Sequence, residues 1–162
     1  MIDRRNKGKW KRGASAVEFA LALPIFIILV IGIIEFGWYF FMQHTLQFAT
    51  REGMRLALVG RTITDASGNP MTRQASIIQT IRENAAVALK GDGLMISIYP
   101  VNNDFSDPAN WQNVQNPGGP GDYMRVQTSY DHRFFTPLIG KLFNGGHVVI
   151  RAQGTYRNEL FD

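Results

Sequence analysis

The chain has 162 residues, no cysteine and a formal net charge of +4, so disulfides and thiolate metal sites are excluded. Six of its 17 Lys and Arg residues fall within residues 1–13, which leaves the rest of the chain close to neutral. No basic stripe remains outside that segment, and we therefore expect no nucleic-acid partner.

Residues 1–13 form a basic leader, which we expect to be unstructured because closely spaced Lys and Arg repel one another. The chain then becomes apolar over about residues 19–42, with Glu35 as the interruption. About 20 apolar residues cross the hydrocarbon core of a bilayer, so this stretch predicts one transmembrane segment. The basic flank predicts a cytoplasmic N-terminus and an extracytoplasmic C-terminal domain. A secretory signal peptide is disfavoured, because the apolar run ends in bulky side chains and no A-x-A-like site follows.

We predict one long helix over residues 14–60, whose first half crosses the membrane. Pro24 removes a backbone donor and predicts a kink. Glu18 and Glu35 are about 25 Å apart along a helix, which places them near opposite faces of the bilayer. Residues 38–41 (Trp-Tyr-Phe-Phe) form an aromatic belt at the outer interface. Glu35 then acts either as a snorkelling interfacial acid or as a contact to another helix.

The last part of this helix carries a stripe of apolar and small residues that we expect to support the outer domain. The stripe comprises Leu46, Ala49, Gly53, Leu56 and Ala57.

Residues 61–162 predict a small α+β domain, with one helix packed on a short antiparallel sheet. The periodicity changes from helical to alternating near residue 94. The predicted elements are a helix at 72–90, strands at 94–101, 123–134 and 147–158, and a short helix at 137–143.

No residues in the sequence combine into a recognisable catalytic motif, and we expect no enzyme activity, cofactor or metal site. His44, His132 and His147 lack zinc-site spacing, although His132 and His147 could approach each other across adjacent strands. The Asn- and Asp-rich segment 102–107 lacks the order of a calcium loop and predicts turns instead.

Glu18 is the unusual residue, because an acid in a membrane helix is expensive and points to a function. It lies five residues after Gly13, at the end of the basic leader. This arrangement resembles the signature of type IV pilins and, more narrowly, the TadE-like minor pseudopilins of tight-adherence (Tad) pilus systems. The residues that carry the match are Gly13–Phe19 (GASAVEF), Leu23-Pro24, Glu35-Phe36-Gly37 and Arg51–Ala57 (REGMRLA), with a weaker echo in Arg157-Asn158-Glu159.

The resemblance implies that a prepilin peptidase, an aspartic membrane protease, cuts between Gly13 and Ala14. The new Ala14 ammonium would then pair with Glu18, on its own chain or on a neighbour. Pro24 and Glu35 join Glu18 as implied assembly residues.

The implied protein is a minor pilin-like subunit that takes part in assembling an adhesive pilus. The implied partners are other pilin-like subunits and the pilus assembly platform. It would sit in the inner (cytoplasmic) membrane until processing lets the mature helix move into the pilus. The alternative hypothesis is a single-pass membrane-anchored binding module of the cell envelope that is never processed.

Overall fold

The computed structural model describes residues 7–89 and 93–160. It has the predicted α+β class, with one very long N-terminal helix followed by a helix and a three-stranded antiparallel sheet. The elements are α1 (Lys7–Leu58), α2 (Arg73–Ala85), β1 (Leu94–Pro100), β2 (Tyr123–Arg133), α3 (Pro137–Gly140) and β3 (His147–Arg157).

Helix α1 is 52 residues long and continues as one helix through Pro24. It begins at Lys7, so the prediction that the leader is unstructured was wrong for residues 7–13; residues 1–6 lie outside the described residues. Lys and Arg are good helix formers, and extending an existing helix avoids the unfavourable nucleation step. The helix ends at Leu58, and Gly60 follows with φ 67°, as in a glycine-terminated helix.

The chain divides into an N-terminal unit, Met1–Trp38, and a C-terminal unit, Tyr39–Asp162. The N-terminal unit holds the first part of α1, in which every residue from 13 to 29 is exposed. The second part of α1, from Tyr39 to Leu58, belongs to the C-terminal unit together with all the other elements.

The sheet of the C-terminal unit has the order β1-β2-β3, with both pairings antiparallel. Leu94 lies opposite Tyr130, and Tyr123 lies opposite Arg157. The loop from β1 to β2 returns along the outer edge of β1, where Ile98 N–H donates to Val114 O (2.7 Å) and Asn116 N–H donates to Ile98 O (2.8 Å). This loop covers the edge that would otherwise present unpaired backbone groups.

The hydrophobic core lies between the sheet, α2 and the second part of α1. The predicted stripe on α1 is confirmed, with Leu56 half-buried and its other four members buried. A Cβ at Gly53 would clash with the Ile81 side chain of α2, so glycine is what lets these two helices approach. The buried hydroxyls of Thr50 and Thr128 share a hydrogen bond of 2.7 Å, which ties α1 to the central strand.

Helix α2 is shorter than predicted, because it ends at Ala85 and residues 86–88 form a turn. The Thr72 hydroxyl caps it by accepting a hydrogen bond from Ala75 N–H (3.2 Å). Its predicted buried face is confirmed at Ile77, Ile81 and Ala85. Residue 90, the predicted end of this helix, lies outside the described residues.

Candidate functional site

The predicted cleavage junction lies inside α1, not in a loop. Gly13 and Ala14 are both helical and exposed, and nothing lies within 4 Å of the position that a Cβ at Gly13 would take. A protease binds an extended backbone, so cutting this bond requires the helix to unwind locally. Gly13 favours that unwinding, since glycine in a helix interior is about 1 kcal/mol less stable than alanine.

Glu18 stands on the same face of α1 as Ala14, one turn further along. Residues four apart on a helix place their Cβ atoms about 6 Å from each other. The Glu18 side chain is exposed, so it is open to a partner from this chain or from another molecule. The helix geometry therefore places Glu18 within reach of any ammonium group created at Ala14.

Residues 19–34 of α1 present an apolar surface on all sides. The most apolar 18-residue window of the helix has a mean hydropathy of 2.8, and none of that window is buried. The side chains of Phe19, Ile25 and Phe26 are each more than 60% exposed. Within the described residues, this is the helix long and apolar enough to cross a membrane. Such a surface is stable when lipid or other apolar helices cover it.

The remaining predicted assembly residues are spread along the same helix. Pro24 is exposed, whereas Glu35 is buried, with 2% of its surface accessible. The helical rise keeps Glu18 and Glu35 about 25 Å apart, so the structure does not gather these residues into one site. Gly32 and Gly37 each have open space where a Cβ would be, which leaves room for a second helix to approach.

The histidines form no metal site. The prediction that His132 and His147 could approach each other was wrong, because they occupy successive register positions: His132 lies opposite Val148, and Arg133 lies opposite His147. Side chains alternate between the two faces of a sheet, so His132 is buried while His147 Nδ1 contacts Asp131 (3.0 Å) on the exposed face. Within residues 7–89 and 93–160, no group of three or more His, Asp or Glu side chains could hold a metal ion.

The carboxylates of the loop between β1 and β2 have structural partners. Asp104 accepts hydrogen bonds from the Ser106 N–H (3.0 Å) and hydroxyl (2.6 Å), which lower the pKa of its carboxyl. Asp107 accepts hydrogen bonds from Arg125 and from the Tyr99 hydroxyl, the latter at 2.8 Å. Burial and this acidic neighbour raise the pKa of Tyr99. These contacts fix the conformation of the loop, which agrees with the turns predicted for it.

A polar cluster around Arg73 and Asn158 was not predicted from the sequence. Arg73 Nη2 donates to Ala57 O and to Asn158 Oδ1, both at 2.7 Å, while Nη1 donates to Gly118 O (2.9 Å). Asn158 Nδ2 donates in turn to Gly119 O (2.7 Å) and Pro117 O (3.1 Å). The cluster joins the end of α1, the start of α2, the long loop and the end of β3.

Burial shifts the titration of this region. It lowers the pKa of the Arg73 guanidinium and raises the pKa of the neighbouring Tyr156 to about 12. The signal available in the sequence was the segment Arg157-Asn158-Glu159, which had carried the weaker part of the family resemblance. Arg73 had no such signal, because a basic residue in the first turn of a helix is usually solvated.

The fold and the apolar helix together define a class: an α+β protein whose N-terminal helix could anchor it in a membrane. Residues 13–55 match the family model TadE, described as TadE-like protein, which is consistent with a TadE-like protein of Tad pilus systems. The predicted resemblance is thereby confirmed over this segment. No curated protein and no solved structure matches the chain.

Proposed function

We propose that this protein is a minor pilin-like subunit of a tight-adherence pilus. The observation that carries the proposal is the position of the TadE-like match. It begins at Gly13, runs through the exposed apolar helix and ends at residue 55, close to the end of α1. The match therefore covers the junction, the apolar segment and the first three residues of the stripe, Leu46, Ala49 and Gly53.

In this proposal the helix crosses the inner membrane at about residues 19–42. The six basic residues of the leader hold the N-terminus in the cytoplasm. The C-terminal unit folds on the extracytoplasmic side, where the absence of cysteine leaves its stability to the core and to the polar cluster around Arg73.

The protein is then a substrate of a prepilin peptidase. The cut between Gly13 and Ala14 removes the basic leader and with it the charge that opposes movement of the helix out of the bilayer. It also creates the Ala14 ammonium, one turn from Glu18. In a membrane each of these two charges is expensive alone, and pairing them offsets that cost.

Assembly would use the exposed apolar face of the helix. Gly32 and Gly37 let a neighbouring helix approach closely, because small residues bring backbones together in lipid. The neighbours are other pilin-like subunits and the assembly platform that moves them. The role is structural, and the proposal assigns no catalytic residue to the chain.

The test is the intact mass of protein extracted from membranes of cells with and without the prepilin peptidase. We expect the mass to fall by that of residues 1–13 when the peptidase is present. A known prepilin in the same cells serves as the control for peptidase activity. Full-length protein beside a fully processed control would overturn the proposal in favour of an unprocessed membrane-anchored binding module.

A further inference from the structure

The connection between β2 and β3 presents large apolar side chains to the surface. We call residues 134–143 the apolar loop; it contains α3. Phe135 is 66% exposed, Leu138 is 54% exposed and Leu142 is 79% exposed. Three large exposed apolar side chains thus fall within eight residues, and exposed apolar surface of this kind marks interaction sites.

Ring packing and a backbone hydrogen bond at the base of the loop hold it in a defined conformation. The rings of Phe134 and Phe143 stack with their centroids 4.5 Å apart, and Ile139 between them is buried. Phe134 N–H donates to Gly146 O (3.1 Å), which ties the base of the loop to the residue before β3. The exposed side chains are therefore carried on an ordered support.

The loop lies at the end of the C-terminal unit where α1 enters it. The ring of His132, just before the loop, is 6.2 Å from the ring of Tyr39, the first residue of that unit. The opposite end of the unit is marked by Leu58, whose carbonyl accepts a hydrogen bond from Glu159 N–H (2.9 Å). Tyr39 and Leu58 are about 28 Å apart along the helix, so the two ends are well separated.

We propose that the apolar loop inserts into the interface of the outer leaflet of the membrane. The inference rests on the proposed anchoring of the chain, which puts Tyr39 in the aromatic belt at that interface. The ring of His132 lies beside Tyr39 and contacts the rings of Phe134 and Phe135, so the start of the loop is then held near the level of the lipid headgroups. Exposed Phe and Leu side chains bind this zone by burying apolar area in it.

The cations at the loop fit anionic phospholipid, and the exposed carboxylate nearby, Asp131, contacts His147 Nδ1 (3.0 Å). Arg133 precedes the loop and Lys141 lies within it, and both are exposed. They line a cavity of about 540 Å³ together with Phe134, Phe135 and backbone around Gly145, and no carboxylate is among its lining residues. Cations beside an apolar surface attract lipid phosphate while the apolar side chains enter the acyl region. A second contact of this kind would fix the C-terminal unit against the membrane.

The test uses the absence of native cysteine, which allows a single spin label at any position. The full chain would be reconstituted in vesicles of phosphatidylethanolamine and phosphatidylglycerol. The variant Leu142→Cys reports on the loop, and Leu138→Cys repeats the measurement on α3. Leu160→Cys is the matched control, because Leu160 is 87% exposed and follows Glu159 at the opposite end of the unit. Leu29→Cys reports on the predicted transmembrane segment.

The quantity measured is the accessibility of each label to oxygen, which concentrates in lipid, divided by its accessibility to a water-soluble nickel complex. We expect this ratio to be several-fold higher at positions 138 and 142 than at position 160. A water-like ratio at both loop positions, with a lipid-like ratio at position 29, would overturn the inference and leave the anchoring intact. Loop labels shielded from both reagents would overturn it in favour of a second copy of the chain. A water-like ratio at position 29 would overturn the anchoring itself.

Discussion

At the scale of single residues, the junction combines two opposing requirements. Gly13 and Ala14 are helical in the uncut chain, whereas a protease needs them extended. Glycine has the lowest helix propensity of any residue except proline, so the helix unwinds more easily at Gly13 than it would with a larger residue at that position. If the chain is processed as proposed, Gly13 supplies both backbone flexibility and a position without a side chain in the cleft of the peptidase.

We expect Gly13→Leu to abolish processing while leaving insertion and the fold unchanged. Leucine both stabilises the helix and adds a bulky side chain next to the scissile bond. The measurement is the intact mass of the membrane-extracted protein in the presence of the peptidase. Gly8→Leu, the same substitution elsewhere in the leader, should be processed like the wild type. Equal amounts of mature protein from Gly13→Leu and wild type would show that the cut lies elsewhere.

Glutamine has nearly the same shape as glutamate but no charge, so replacing Glu18 by glutamine removes the charge alone. A carboxylate near a helix N-terminus gains typically 0.3–1 kcal/mol from the helix dipole, less than the few kcal/mol an acid costs in the membrane. We expect Glu18→Gln to insert and be cut normally but to co-purify less with partner pilin subunits. Glu159→Gln, the same change on an exposed acid of the C-terminal unit, should assemble normally. If Glu18→Gln assembles as well as the wild type, Glu18 serves only to start the helix of the mature chain.

The Asn158 side chain joins the end of β3 to Arg73 at the start of α2 and to the loop between β1 and β2. Asn158→Ala removes the acceptor of Arg73 and the donor to the carbonyls of Pro117 and Gly119, all in a buried setting. We expect the free energy of unfolding to fall by about 2–3 kcal/mol. Urea unfolding in detergent, followed by the circular dichroism of the sheet, measures this value. Asn103→Ala, in an exposed turn, should change it by less than about 0.5 kcal/mol; similar losses in both variants would contradict the role of the cluster.

At the scale of elements, α1 serves two environments with two kinds of surface. Residues 19–34 are apolar all round, and the second part of the helix is apolar on one stripe that packs on α2 and the sheet. The same helix uses glycine differently in the two parts. Gly32 has open space around it, while Gly53 sits against the Ile81 side chain.

We expect Gly53→Ala to destabilise the C-terminal unit by about 1–3 kcal/mol, because overpacking outweighs the helix propensity that alanine adds. Unfolding in urea measures the loss. Gly32→Ala makes the same change where there is room and should leave this value unchanged. Ile81→Ala removes the side chain that a Cβ at position 53 would meet. In a chain that carries Ile81→Ala, Gly53→Ala should therefore reduce stability by less than it does in the wild type. No coupling between the two positions would show that they do not pack together.

At the scale of the whole molecule, the proposed function requires the two ends of the chain to lie on opposite sides of the membrane. The basic leader and the near-neutral C-terminal unit predict a cytoplasmic N-terminus. In cells that lack the prepilin peptidase, so that the leader is retained, we expect an impermeant maleimide added to spheroplasts to label Leu160→Cys and to spare Asn6→Cys until the cells are lysed. Labelling of Asn6→Cys in intact spheroplasts, with Leu160→Cys protected, would reverse the topology.

Much of the fold was predictable because its signals are local. The extent of the apolar helix, the buried face of α2 around Ile77 and Ile81, and the alternation of β2 each follow from residues close in sequence. Helix and strand periodicities report which face is buried without saying what buries it. The prediction that residues 7–13 are unstructured failed for the same reason. It used local composition alone, which does not show how readily an existing helix extends.

The sequence by itself determined the candidate site. The site consists of the basic leader, Gly13, Glu18 and an apolar run, and the properties of these residues do not depend on the fold of the rest of the chain. A lipid-exposed helix satisfies its own backbone, so its chemistry does not depend on distant residues. Only the tertiary structure decided which distant residues meet. Arg73 and Asn158 are 85 positions apart and share a hydrogen bond, and the same packing brings His132 beside Tyr39. Contacts of this kind depend on strand register and on how the helices cross the sheet, which no local pattern encodes.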